Sequence, residues 1–276
     1  MTAQPVLPLS GWRVLVPRPT AGRSPAVVAL AAAGAEAVVV PLIETVPPDD
    51  PTDLDDALLA LESGWFGWLV VTSAAAVPVL VDRAQESAGS LTQLLADGHV
   101  RVAAIGPGTA RALREVGVEP DLVPRGRSTS RGLVEAFPAP TEPARVLFPR
   151  GDLAATTVVD GLQERGWDVS DVVAYRTVPA APPPADVREA WTDGTIRAAL
   201  LTSASTVREL AHRLGAPPTT TLLIGIGPST AAEAHRLGLP LAGVATEQTM
   251  LGMVDALTRA VTTVLPAPIP SPEEHS

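Results

Sequence analysis

A chain of 276 residues without a single cysteine excludes disulfides, thiolate metal sites and thiol nucleophiles. Its formal charge of −10 repels nucleic acid phosphates and anionic membrane surfaces at long range, so neither is an expected partner. Aromatic residues make up only 3% against 46% hydrophobic residues, so the cores must be built from Val, Leu, Ile and Ala, as in buried parallel strands covered by Ala-rich helices.

The length suits two α/β domains of about 100 to 150 residues each. The opening residues lack a basic region followed by an apolar run, and no stretch approaches the ~20 apolar residues that span a bilayer, so the expected compartment is the cytoplasm. In chain order, the apolar run Val14-Leu-Val16 predicts a buried strand, and a helical pattern over 24–33 ends at Gly34. Val40-Pro-Leu-Ile-Glu-Thr-Val-Pro-Pro48 is extended and proline-bounded, like a crossing between domains. Leu69-Val-Val71 and Val102-Ala-Ala-Ile105 are further strands, the second followed by a helical pattern over 109–116 that stops at Gly117.

The pattern then starts again. Arg13-Val-Leu-Val-Pro-Arg18 recurs as Arg145-Val-Leu-Phe-Pro-Arg150, a spacing of 132 that also relates Gly34 to Gly166 and Thr45 to Thr177. Leu69-Val-Val-Thr-Ser73 corresponds to Ala199-Leu-Leu-Thr-Ser203, and Ile105-Gly-Pro-Gly-Thr-Ala110 to Ile226-Gly-Pro-Ser-Thr-Ala231. The spacing shortens to 130 and then 121, as if the second copy lacked the loop spanning 85–99. Val172-Val-Ala-Tyr-Arg-Thr-Val-Pro179 is the second crossing stretch, Pro182-Pro-Pro184 a stiff spacer before a helix at Asp186, and 230–237 a helix stopped by Gly238. The proline-rich tail 265–276 is expected to be disordered. Alternating strands and helices predict two doubly wound parallel sheets, one from each copy's worth of chain.

In such sheets ligands sit beyond the carboxyl ends of strands, where helix N-termini point. Four turns qualify: Thr72-Ser73, Gly106-Pro-Gly-Thr109, Thr202-Ser203 and Gly227-Pro228-Ser229-Thr230. Each offers a hydroxyl beside free N–H groups, suited to a carboxylate; each hydroxyl is equally explained as a helix cap contributing ~1 kcal/mol. Arg18 and Arg150 stand two residues past a strand, as anion ligands or as solvent-exposed helix caps. Tyr175, the lone tyrosine, lies on a crossing stretch beside Arg176, placed for packing or for catalysis. The Arg150-Gly151-Asp152 tripeptide reads as structural. Arg111 occupies the third position of a dinucleotide fingerprint and no P-loop exists, so no nucleotide cofactor is expected; the scattered histidines predict no metal site.

Taken in order, Leu15-Val-Pro-Arg-Pro19, Val71-Thr-Ser73, Ile105-Gly-Pro-Gly-Thr109, Phe148-Pro-Arg-Gly151, Ala174-Tyr-Arg-Thr177, Leu201-Thr-Ser203 and Ile226-Gly-Pro-Ser-Thr230 resemble the uroporphyrinogen-III synthase family. The resemblance covers residues 11–261. It implies two α/β domains, 1–42 plus 179–264 and 46–174, joined by crossing strands at 43–45 and 175–178 with a cleft between them. It further implies a cofactor-free monomeric lyase that cyclises hydroxymethylbilane to uroporphyrinogen III through a spiro intermediate, inverting the last pyrrole ring. Tyr175 matches the family's proton-donating or hydroxyl-orienting position. Arg18, Thr72, Ser73, Gly106, Thr109, Arg150, Gly151, Ser203, Gly227, Pro228, Ser229 and Thr230 match positions expected to bind the substrate carboxylates. Ala75, Ala154 and Ala155 depart from the pattern, where many relatives carry Asn and Arg. The rival expectations are a non-catalytic tetrapyrrole- or anion-sensing module of the same fold and a bilobal anion carrier.

Overall fold

In a computed structural model that describes residues 7–17, 24–87, 89–126, 128–140, 142 and 144–264, strands and helices alternate along the chain. The first copy gives β1 (Arg13–Val16), α1 (Pro25–Ala32), β2 (Glu36–Val39), β3 (Ile43–Val46), α2 (Thr52–Glu62), β4 (Trp68–Val71), α3 (Ala76–Ser87), α4 (Leu91–Asp97), β5 (Arg101–Ala104), α5 (Pro107–Glu115) and α6 (Ser130–Ala136). The second gives β6 (Arg145–Gly151), α7 (Thr157–Glu164), β7 (Asp168–Pro179), α8 (Ala185–Thr192), β8 (Ile196–Leu201), α9 (Ala204–Leu214), β9 (Leu222–Gly225), α10 (Pro228–Arg236), β10 (Leu241–Val244) and α11 (Met250–Val264). The tail from 265 and Arg18 lie outside the described residues.

Chain contacts divide the molecule into a first unit, Met1–Glu44 with Pro179–Ser276, and a second unit, Thr45–Val178. The sheet of the first unit runs β10-β9-β8-β1-β2 and that of the second β3-β7-β6-β4-β5, every pair with an assigned register being parallel. The duplication explains this order. β6 and β7 correspond to β1 and β2, and β8 and β9 to β4 and β5, so each sheet pairs the opening strands of one copy with the closing strands of the other. A parallel bridge from Ala103 to Leu122 stands where β10 stands in the first sheet, while β3 is added at the opposite edge of the second.

Both sheets are doubly wound because their strands are apolar on both faces. Val14 and Val16 pack with α1 and α11, whereas Leu15 between them packs with α8, α9 and α10. In the second unit Leu69 and Val71 face α2, α3, α4 and α5, and Trp68 and Val70 face α6 and α7. Trp68, Phe137 and Trp167 meet there, with centroids 4.8 and 5.3 Å apart. Gly34 and its counterpart Gly166 stop α1 and α7 at φ of +88° and +90°, the left-handed geometry that releases a chain from a helix into the next strand.

Two expectations need correction. The extra length of the first copy is not a loop: Ser90 caps α4 through the Gln93 N–H, and Leu91, Leu94 and Leu95 are buried. α5 and α10 also begin before Thr109 and Thr230, at Pro107 and Pro228, because proline's fixed φ and missing N–H suit the first helical position.

Candidate active site

The second unit holds the only tyrosine of the chain in a setting that depends on a break in strand register. β6 and β7 pair in step from Arg145 with Asp168 to Arg150 with Val173, and then Gly151 pairs with Tyr175, leaving Ala174 as an extra residue. Strict alternation would send Ala174 and Tyr175 to opposite faces. The irregularity instead lets both, with Val172, join the core beneath α2, α3, α4 and α5. The ring lies across Gly151 so closely that a β-carbon there would fall 2.8, 2.9 and 3.0 Å from Cε2, Cζ and Oη. Position 151 therefore admits glycine for reasons of space.

Tyr175 is 8% exposed. Burial pushes its phenol above the ordinary value; the neighbouring Ser73 hydroxyl opposes that rise and the nearby Asp152 carboxylate adds to it. Ser73 follows β4 and half-buried Thr72, and its hydroxyl also accepts a bond from the Ala75 N–H at 3.2 Å. Ala75 packs on the core, and the Ala154 N–H bonds the Gly151 carbonyl at 3.0 Å. Asp152 touches β7 twice: its N–H donates to the Tyr175 carbonyl and its carboxylate accepts from the Thr177 N–H, both at 3.0 Å.

The arginines beside this site have partners. Arg150 donates from Nε to Asp171 at 2.6 Å, and Arg176 reaches Asp49 at 2.7 Å while its Nε is buried without a partner among the described residues.

The strand-end turns fall into two kinds. At α9, Ser203 is a committed cap: its hydroxyl accepts from the Thr206 N–H at 3.1 Å, and Thr206 Oγ1 accepts from the Ser203 N–H at 2.8 Å. At α5 in the second unit and α10 in the first, the capping residues are Gly106 and Gly227, and no side chain caps either helix. With proline first, the N–H groups of Gly108 and Thr109, and of Ser229 and Thr230, point outward at the positive helix end. Gly108, Pro228 and Ser229 are exposed, whereas Thr109 and Thr230 are buried. Thr230 Oγ1 has no hydrogen-bond partner among the described residues.

Sequence reasoning missed the side chains that sit over these two caps. A β-carbon on Gly106 would lie 2.0 Å from Ser128 Oγ, and one on Gly227 would lie 2.9 Å from Gln248 Nε2. The signal was present: Thr129-x-x-Gly132-Leu-Val134 recurs as Thr249-x-x-Gly252-Met-Val254, and each threonine hydroxyl accepts from the glycine N–H three residues on, at 3.1 and 3.0 Å. Among the described residues no group of three or more His, Asp or Glu is arranged to hold a metal ion, and no helix is long and apolar enough to cross a membrane.

Doubly wound units exchanging halves of a duplicated pattern, each with a glycine-capped helix and one with a buried phenol, define a two-unit α/β class of protein. Comparison with known proteins makes this specific. The family model described as Uroporphyrinogen-III synthase HemD matches residues 24–255. A uroporphyrinogen-III synthase of Synechococcus elongatus is 30% identical over 261 residues, covering 91% of this chain and 96% of the relative. The porphyrin biosynthesis protein HemD of Ruminiclostridium josui is 29% identical over 254 residues, 91% of this chain but 49% of that longer protein. A mutant uroporphyrinogen III synthase from Thermus thermophilus shares the fold with a TM-score of 0.61 at 22% identity, over 91% of this chain and 99% of that one. The chain belongs to the uroporphyrinogen-III synthase family.

Proposed function

We propose that this protein is a lyase that cyclises hydroxymethylbilane to uroporphyrinogen III with loss of water, inverting the last pyrrole ring through a spiro intermediate. The observation that carries the reading is the family match over residues 24–255, which takes in Tyr175 and all four strand-end turns. The proposal extends to a monomer working in the cytoplasm on this small molecule, without metal, coenzyme, nucleic acid or membrane.

The chemistry asks little of an acid and much of a scaffold. Breaking the C–O bond of the hydroxymethyl group leaves a delocalised cation, and the departing oxygen takes up one proton to leave as water. Full transfer from Tyr175 would create a buried phenolate beside Asp152, which burial and charge both disfavour. A neutral phenol beside Ser73 suits the milder task of donating a hydrogen bond to the leaving hydroxyl and orienting it. The eight substrate carboxylates need fixed partners, and the uncapped N–H pairs of α5 and α10 are suited to two of them. Thr230, with its unpartnered buried hydroxyl, is the position at α10 where a substrate oxygen would complete an existing vacancy in hydrogen bonding. Since Ser203 is occupied as a cap, the amides around it rather than its hydroxyl would face substrate.

The test is direct: incubate the protein with freshly made hydroxymethylbilane, oxidise the products and separate the isomers by chromatography. Isomer III is expected in excess. Isomer I alone, the product of spontaneous closure, overturns the reading and leaves a binding protein of the same fold.

A further inference from the structure

A register break solves one problem and creates another. It turns Tyr175 onto Gly151, where β6 ends, so beyond Tyr175 the edge of β7 that faced β6 has no ladder partner, while β3 flanks its other edge. Asp152 fills that gap. Its N–H holds the Tyr175 carbonyl and its side-chain Oδ1 accepts from the Thr177 N–H, the place a backbone carbonyl would occupy had the strand continued. One residue thus fastens the chain at Tyr175 and two positions beyond it.

We propose that Asp152 is a positioning residue for the cyclisation, fixing the Tyr175 hydroxyl against Ser73 by pinning β7 through the Thr177 amide. The proposal rests on the reading of function above. It also gives a purpose to the Arg150-Gly151-Asp152 tripeptide: Arg150 pairs with Asp171 on the neighbouring strand, Gly151 makes room for the ring, and Asp152 holds the strand that bears it. The Asp152 carboxylate is the charge that pushes the phenol up, while Arg150 is paired with Asp171, Arg176 with Asp49, and Arg83 on α3 with Asp55 on α2.

Because Tyr175 is the only tyrosine, it can be watched alone. Labelling with [13Cζ]tyrosine gives a single resonance at neutral pH, whose titration at high pH reports the phenol. Asp152→Asn keeps an acceptor for the Thr177 amide without the charge; Asp152→Ala removes both. Losing the pin should lower kcat of Asp152→Ala by about tenfold or more, with KM within about twofold, as expected when geometry rather than binding is lost. Asp152→Asn should keep at least half of kcat. The phenol should titrate lower in both variants, since a negative charge is gone, and lower still in Asp152→Ala, with a broadened or doubled resonance at neutral pH.

Wild-type kcat in Asp152→Ala overturns the proposal, and so does an Asp152→Asn enzyme as slow as Asp152→Ala, which would assign the effect to charge. A resonance and titration alike in the two variants also overturns it, whether or not the wild type forms isomer III. Absence of isomer III from the wild type counts against the functional reading instead.

Discussion

Gly151→Ala tests the site at its tightest point. The added methyl would meet Cε2, Cζ and Oη of Tyr175 at 2.8, 2.9 and 3.0 Å. Comfortable carbon contacts begin near ~3.5 Å, so the ring must retreat by about 0.5 to 1 Å. The backbone of Gly151 does not lie at positive φ, so crowding is the whole perturbation. Overpacking of this kind costs about 1 to 3 kcal/mol, which should lower Tm by roughly 3 to 10 °C while leaving the protein folded at assay temperature. A displacement near 1 Å at a reacting group is worth about 10²-fold in rate, so kcat should fall by that factor with little change in KM. Tyr175→Phe removes the hydroxyl directly and should cost a similar ~10²-fold while preserving ring packing. If both changes act through the same hydroxyl, the double variant should lose about 10²-fold and not 10⁴-fold. The assay is initial-rate formation of isomer III under saturating hydroxymethylbilane, with melting curves on every variant. Gly151→Ala with near-normal kcat, or a fully multiplicative double variant, would refute the argument that the register break exists to place the phenol.

Thr230→Val exchanges a buried unpartnered hydroxyl for a methyl, so Tm should rise, by up to about 1 to 3 kcal/mol of stability, while KM increases severalfold; a lower Tm with unchanged KM would show the hydroxyl to be satisfied within the protein. Ser203→Ala breaks the capping box and should cost ~1 kcal/mol, whereas Ser203→Asp should restore Tm because a carboxylate caps equally well. Acid stability should depend on Glu233, whose carboxyl is drawn down to about 2 by Arg236 first and Arg208 second. Its folded value lies below the ordinary 4.5, so its contribution is complete above that pH and disappears as pH falls toward 2. The Tm gap between wild type and Glu233→Gln should therefore be open at pH 6 and closed near pH 2; a gap independent of pH would contradict this.

The duplicated pattern made the fold legible. Arg13-Val-Leu-Val and Arg145-Val-Leu-Phe are short, apolar and alike, so each had to be a buried parallel strand, and positive-φ glycines at 34 and 166 ended equivalent helices. The turns were legible as places, but not the point where their helices open, which proline at the first helical position moves up to Pro107 and Pro228. Side-chain destinations were harder to read, because they depend on tertiary register. Four hydroxyls of similar sequence context took different fates: Ser203 caps its own helix, Ser73 meets a tyrosine, Thr109 is buried and Thr230 is buried without a partner.

Tyr175 shows most clearly why the site needed three dimensions. From sequence it alternates with Ala174, and packing and catalysis explain it equally well. One unpaired residue in the ladder decides between its two faces, and that residue is invisible to any period-two reading of Val172-Val-Ala-Tyr-Arg. The same break makes glycine at 151 a steric requirement and makes an acceptor at 152 useful, so three residues that look independent along the chain are consequences of one irregularity. Substitutions at 151, 152 and 175 should accordingly be coupled in kcat, while the ion pairs of Glu233, which stand on a regular helix, should change stability alone.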